Sequence, residues 1–543
     1  MKWAAFILLI ALALSASAAT QPKEVGSSQV FIELNWTLGF GDNLPPKFTF
    51  TAFGFPDNAW QKSRFESGAG HEFTEKKDEF GNPVVEYVFA PQKSIEELSL
   101  RAFVDVNYLA PPQAGEPGNY AEFTSLTQAS PAIRAQALRI MTQTNDTLER
   151  ASLVGEWVNN RVNYDGLGYG LTVENASWVY ENRLGTCDEY AHLMASMLRV
   201  ADIPVKFVAG FVCSTNCSQS ENWGPHAWAE VYADGYWYPF DPTFNEGIVL
   251  DATHVKFAEG RDQNDIKERL SATAYNYPLE DVTFDRSTQI SLDSQKPFPR
   301  LASMAINATN QPVGEGAVEK VSVTVKNLLN RTIAVPVSLT APREISILTQ
   351  QNALLYLPPH ETRVYSWTLL FPQTFEEGYI YKFPIRIDSI GQNSSTIITG
   401  KKGGLTETIA NLTVTDSYTY LEGEVLYLKL TLKNLGNQPL KDVPISFDTD
   451  YGTTRTSLSL DPAQSTETTL RIPLNATSGQ EINGLLTIGA YPKITQKYVI
   501  TLPEQPPASV PTDLETLSFS LEQALAIAIV IILILALYLY RKA

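Results

Sequence analysis

The chain reads as a multidomain, β-rich protein in which one unit of mixed helices and strands sits between all-β segments. Three observations give this class. At 543 residues the chain is too long for a single core, and about three or four domains are expected. Period-two alternation broken by Pro and Gly turns dominates before Ala110 and after Arg300. Between them, Ala191, Met194, Leu198 and Ala201 repeat at the three- and four-residue spacing of a helix.

Met1-Lys2, an apolar run from Trp3 to Leu14 and the small residues Ser15 to Ala19 have the form of a secretory signal, residues 1–19. Residues 20–125 form a β-rich domain, with strands such as Val30 to Leu34 and Val84 to Phe89 and no chemical motif; His71 reads as a solvated loop residue. Pro111 to Gly118 is a linker. Ser130-Pro131 caps one helix with Pro at its first position, and Leu148 to Val162 is a second.

The chemistry is concentrated between Gly185 and Thr243. Thr186 is a good N-cap and Glu189 can reach back to it, which puts Cys187 in the first turn of a helix. Unpaired N–H groups and the positive end of the dipole favour thiolate there, while Asp188 and Glu189 oppose it, so a basic partner is required. Ile203 to Val212 is a buried strand. His226 then opens a strand that alternates through Trp228, Glu230 and Tyr232, turns at Ala233-Asp234-Gly235 and returns to Asp241. A two-residue turn at Ala233-Asp234 sets His226 opposite Asp241. One at Asp234-Gly235 slides the pairing by two residues and keeps both on one face, whereas a three-residue loop separates them.

A thiol at a helix start, a histidine on a facing strand and a neighbouring carboxylate are the parts of a Cys-His-Asp nucleophile system. Arg183-Leu184-Gly185-Thr186-Cys187-Asp188-Glu189-Tyr190-Ala191, Ile203-Pro204, His226-Ala227-Trp228 and Tyr238-Pro239-Phe240-Asp241-Pro242-Thr243 resemble the transglutaminase-like superfamily. The resemblance implies a papain-like α+β core within residues 130–290, Cys187 as nucleophile, His226 as general base and acid, and Asp241 as the orienting group. It also implies an acyl transfer on a protein or peptide substrate: a transglutaminase with an amine acceptor, an amidase or protease with water. From a different class comes the alternative of a catalytically inactive surface binding or assembly protein. The Cys187 N–H is a candidate oxyanion donor, with Trp178 or Tyr164 as nominees for the second. His192 falls on another helical face and reads as structural, Glu230 is a rival orienting carboxylate, and the Ser214 to Asn222 loop is a candidate lip.

After Arg300 a weak repeat runs through Val321 to Asn330 and again through Val425 to Asn437, each copy later followed by a Pro-containing connection. Two immunoglobulin-like β-sandwiches, 301–400 and 404–502, are expected, serving as spacers or as polymer-binding modules. A Pro-rich stalk, 503–518, leads to an apolar stretch, 521–540, long enough to cross a membrane and followed by Arg541-Lys542. That arrangement predicts a single-pass protein of the cell membrane with its body outside and its C-terminus cytoplasmic. A cleaved sorting or lipid-anchor signal has a similar make-up. A net charge of −18 argues against nucleic acid as partner, and nine Asn-x-Ser/Thr sites agree with a glycosylated exterior. Of three cysteines, Cys213 and Cys217 can close a small disulfide, which leaves Cys187 free. No EF-hand loop or His/Cys cluster is visible, so neither metal nor cofactor is expected.

Overall fold

The computed structural model describes residues 25–501 except 42, 70, 166–172, 215–216, 267–268, 273–278, 280–281, 475–479 and 490–491. The expected signal, stalk and membrane-crossing stretch, and the sequons at Asn216 and Asn475, lie outside the described residues. Among the described residues no helix is long and apolar enough to cross a membrane.

The N-terminal body is a sandwich of two four-stranded sheets. In the first, Val25–Gly39 pairs with Ile95–Val106 on one edge and with Thr283–Pro297 on the other, and Gln61–Ala69 completes it. In the second, Phe48–Phe53 lies between Pro83–Phe89 and Arg269–Ala272. Val30, Ile32, Leu34, Trp36 and Leu38 alternate inward along the first strand, and the Trp36 ring meets Phe50 of the opposite sheet at 5.0 Å. The expected division between residues 20–125 and 130–290 therefore does not follow the sheets. Strands from Arg269 onward return to the N-terminal sandwich, and the mixed helix-and-strand unit is inserted within it. His71 is likewise not simply solvated: its ring stacks on Phe89 at 4.1 Å and its Nε2 lies 3.3 Å from Glu96.

The inserted unit places four helices against a sheet. These are α1 (Pro131–Met141), α2 (Thr147–Arg161), α3 (Ala176–Asn182) and α4 (Cys187–Arg199). Ser130 caps α1 with Pro131 at its start, as expected, and Asp146 caps α2. The sheet runs in the order Val255–Gly260, Val205–Cys213, Trp223–Ala233, Tyr236–Asp241, Glu246–Gly247. A Gly247–Ala334 pairing carries it into the next body. Every residue of α4 from Glu189 to Arg199 is buried, because helices cover one side of it and the sheet the other. The sequence shows only a one-sided apolar stripe. Arg199, which ends that helix, is 1% exposed and donates to the carbonyls of Tyr120, Val205 and Arg261 and to Thr127 Oγ1 at 2.7–2.9 Å. Burial pulls its pKa down to about 10.

Two further β-sandwiches follow, and the repeat survives in detail. Val318–Asn327 and Val425–Asn434 each end on a fully buried asparagine. Asn327 Nδ2 donates to the carbonyls of Arg331, Leu357 and Pro358, and Asn434 Nδ2 to those of Gln438 and Leu460. Their Oδ1 atoms accept from Leu329 and Gly436 respectively. Each asparagine pins a strand end to two loops, a job apolar residues cannot do. The second sandwich has a separate apolar core. It packs on the helices through Asp416, which takes Arg183 at 3.2 Å and Arg139 at 3.8 Å, while Arg161 donates to the Thr415 carbonyl.

Candidate active site

Thr186 precedes α4 in extended conformation, and the Glu189 carboxylate accepts from its N–H and its hydroxyl, both at 2.7 Å. Glu189 also accepts from the Glu174 N–H at 3.0 Å, which ties the helix start to the segment before α3. Cys187 is thus the first residue of the helix. It is the free cysteine, half-buried, while Cys213 and Cys217 are joined with Cα atoms 5.6 Å apart. Burial is the main influence on the thiol and Asp188 the next, and together they push it up to about 12 against hydrogen bonds from the N–H groups of Ala227 and Asp188. The helix start does not outweigh burial here.

His226 is held by the strand Trp223–Ala233, opposite Gly210. A Cβ on Gly210 would come within 2.1 Å of the Val255 carbonyl and 2.6 Å of the Trp228 ring, so that close crossing requires glycine. The following turn uses Asp234 and Gly235, both with positive φ (51° and 87°), and Ala233 pairs with Tyr236. This is the primed two-residue hairpin turn. Of the registers open to the sequence it is the one that slides the pairing by two, and it leaves His226 and Asp241 diagonal on one face.

His226 Nε2 lies 2.7 Å from Asp241 Oδ2. Asp241 is fully buried, and its Oδ1 accepts from the N–H groups of Thr243 (2.7 Å) and Phe244 (3.2 Å). Burial by itself would raise its pKa. The His226 charge and the bonds from two imidazoles outweigh burial and hold the carboxyl well below the usual range. The second imidazole is His254, absent from the motif reading. Its Nε2 lies 3.0 Å from the same Oδ2 and its Nδ1 2.9 Å from the Asp251 carbonyl. Phe244 stacks on the His226 ring at 4.9 Å and fixes its plane. Ligand atoms of His226, Asp241 and His254 fall within 4.8 Å of one another, a grouping that could hold a metal ion and that the sequence did not reveal. Hydrogen bonds already account for each of them.

Cys187 and His226 line one groove of about 660 Å³. The Ser214 to Asn222 loop borders it: Ser220 and Trp223 line the groove, and Trp223 Nε1 donates to the Cys217 carbonyl at 3.0 Å. The remaining candidates separate cleanly. Glu230, four residues along the same strand from His226, is instead buried against Lys256 at 2.7 Å. His192 is fully buried, stacks on Phe207 at 4.7 Å and has its pKa lowered by burial to about 3, so it stays neutral. Tyr164 lines a neighbouring recess with His226 and Phe244, whereas Trp178 lines neither cavity.

Residues 134–242 match the model of the transglutaminase-like superfamily. An uncharacterized protein of Mycobacterium leprae (strain TN) is 22% identical over 146 residues, 26% of this chain and 50% of that protein. The chain thus spans about half the length of the curated relative it matches. Among solved structures, a putative cysteine protease from Cytophaga hutchinsonii aligns at 17% identity and TM-score 0.33, covering 51% of this chain and 94% of that one. Red sea bream transglutaminase aligns at 10% identity and TM-score 0.18, covering 91% and 98%.

Proposed function

Because the chain carries a core of the transglutaminase-like superfamily over residues 134–242, we propose that it is a cysteine acyl-transferase or hydrolase acting on amides of proteins or peptides. The observation that carries this reading is the 2.7 Å contact of His226 Nε2 with Asp241, made by a histidine that shares its groove with the free thiol. Asp241 occupies Nε2, so Nδ1 is the nitrogen left to take the thiol proton. Cys187 Sγ then bonds to the amide carbon, and the Cys187 N–H, at the first residue of α4, is the proposed donor to the developing oxyanion. The C–N bond breaks, the amine leaves with the proton from His226, and a thioester remains. Water or an amine attacks it through the same histidine.

We read the two later sandwiches as immunoglobulin-like modules and the body as lying outside a membrane, anchored at 521–540. The Cys213–Cys217 disulfide supports an oxidising compartment. Protease protection of the C-terminus in sealed vesicles tests the orientation.

The catalytic reading is tested by mass spectrometry of the full-length chain after iodoacetamide at several pH values, with His226→Ala alongside. Cys187 alkylation that depends on His226 is expected. An inert Cys187, or one equally reactive without His226, leaves the binding-protein reading in its place.

A further inference from the structure

The groove around Cys187 does not belong to the inserted unit alone. Phe53 of the strand Phe48–Phe53, and Arg286, Thr288 and Ile290 of the strand Thr283–Pro297, line it from the N-terminal sandwich. Facing them, Phe207 and Phe211 come from the strand that pairs with the His226 strand. Phe257 joins the two walls, its ring centroid 5.9 Å from both Phe53 and Phe211. Directly at the thiol, Ala191, Phe207 and Ala227 pack with Cys187, Ala209 and Ile266. Apart from the Cys187 and His226 pair, Asp188 and Arg286 are the ionisable groups on the lining, and the Arg286 guanidinium lies over the Phe257 ring. The rim is tied across both bodies as well, because the Ile290 N–H donates to Ser220 Oγ at 3.0 Å.

We propose that this composite pocket is the specificity site, and that it takes an acyl donor whose side chain beside the reacting carbonyl is large and apolar, aromatic above all. The inference rests on Cys187 being the nucleophile. An aromatic side chain buries ~150–250 Å² and gains further from edge and offset contacts with other rings. A carboxylate or amide in the same place gives up water for walls whose polar side chains, besides Asp188 and Arg286, are Ser220, Gln263 and Thr288. The N-terminal sandwich is thereby the outer wall of the substrate site, and the insertion of one unit in the other fixes that wall in register with the thiol.

The test uses the full-length chain and three matched reagents, the N-acyl-phenylalanyl, -glycyl and -aspartyl chloromethyl ketones, with Cys187 modification followed by mass spectrometry. The phenylalanyl reagent is expected to react at least about tenfold faster than the other two, as one well-filled apolar pocket allows. Thr288→Trp, which fills the outer wall from a half-buried edge position, is expected to bring that ratio close to one, and Thr288→Val to retain it. Equal rates for the three reagents, or a ratio untouched by Thr288→Trp, overturn the proposal while His226-dependent alkylation by iodoacetamide still stands. If that alkylation is absent, the pocket is judged by binding alone. Cys187→Ala should then bind N-acetylphenylalanine amide more tightly than N-acetylaspartate amide, and equal affinities overturn the proposal by that route.

Discussion

His254 and His226 converge on a single oxygen of Asp241, at 3.0 and 2.7 Å. A carbonyl can only accept, so His254 donates from Nδ1 to Asp251 as well as meeting the carboxylate, and its ring cannot rotate away without losing both contacts. Asp241 therefore divides its charge between two imidazoles. Asp241→Asn is expected to cost on the order of 10³–10⁴ in kcat/KM by losing that charge and admitting the wrong tautomer of His226. His254→Gln should cost about tenfold to a hundredfold, as an outer partner of a functional imidazole does. The loss should fall on kcat rather than KM, because His254 acts through Asp241 and the orientation of His226 and does not touch substrate. An unchanged kcat with a lowered Tm would show His254 to be packing only.

The thiol offers a second handle. Asp188 is the largest charge contribution holding Cys187 high. Asp188→Asn removes a negative charge beside the sulfur and favours thiolate. The midpoint of Cys187 alkylation against pH should fall by about one unit or more. A midpoint that stays or rises would mean that burial accounts for the whole shift.

Stability should carry a separate pH signature through Glu156, whose Oε2 accepts from the Leu354 N–H at 2.8 Å where α2 meets the next sandwich. Burial raises its carboxyl to about 7. The folded state then holds a proton that the unfolded chain releases near the ordinary carboxylate value. Its contribution is complete below about pH 4.5 and is lost as pH rises through about 7, a change on the order of 2–3 kcal/mol. Glu156→Gln should flatten the fall of Tm between pH 5 and 8, and a Tm profile parallel to the parent's would refute the assignment.

Arg199 should be the most costly of the buried polar side chains to lose. Arg199→Ala takes the guanidinium from four acceptors, of which the Tyr120 carbonyl keeps the Val205 N–H and Thr127 Oγ1 keeps the Thr124 N–H, and is expected to destabilise by about 3–5 kcal/mol, read as a lower urea midpoint. Arg199→Lys should recover only part of this, since a single ammonium cannot span the fork. A change under about 1 kcal/mol would mean that water replaces the guanidinium.

The sequence carried much of the site and less of the architecture. Thr186, Glu189 and the Ala233-Asp234-Gly235 turn are local signals, read from residues a few positions apart; they leave three registers open, and the observed Asp234-Gly235 turn is the one that puts His226 and Asp241 diagonally on one face. His254 escaped because nothing near it repeats. Its only sign is a histidine, one of five in the chain, directly before the apolar Val255 and soon after Val249 and Leu250. The burial of Arg199 has no local signal either, because its acceptors lie on segments far from it in sequence that periodicity cannot place. The pairing of Val25–Gly39 with Thr283–Pro297 was invisible for the same reason, since period-two alternation says which face a residue takes and nothing about the partner strand.

That pairing sets an order of events at the ribosome. Trp36 emerges early, and its strand cannot receive its second neighbour until Arg286 has been made. At about 5–20 residues per second, the first sheet waits with an open edge for many seconds while the inserted unit is synthesised. An open strand edge is a template for the wrong partner. The helices can close their own backbone bonds first, although α1 and α2 also pack on the much later strands Leu412–Glu422 and Asn352–Leu357, and the late strand reaches its place by closing a long loop. Assembly of the substrate wall is thus the last step of folding for the first half of the chain, and a thiol without its outer wall is the species to expect whenever synthesis is cut short before Thr283.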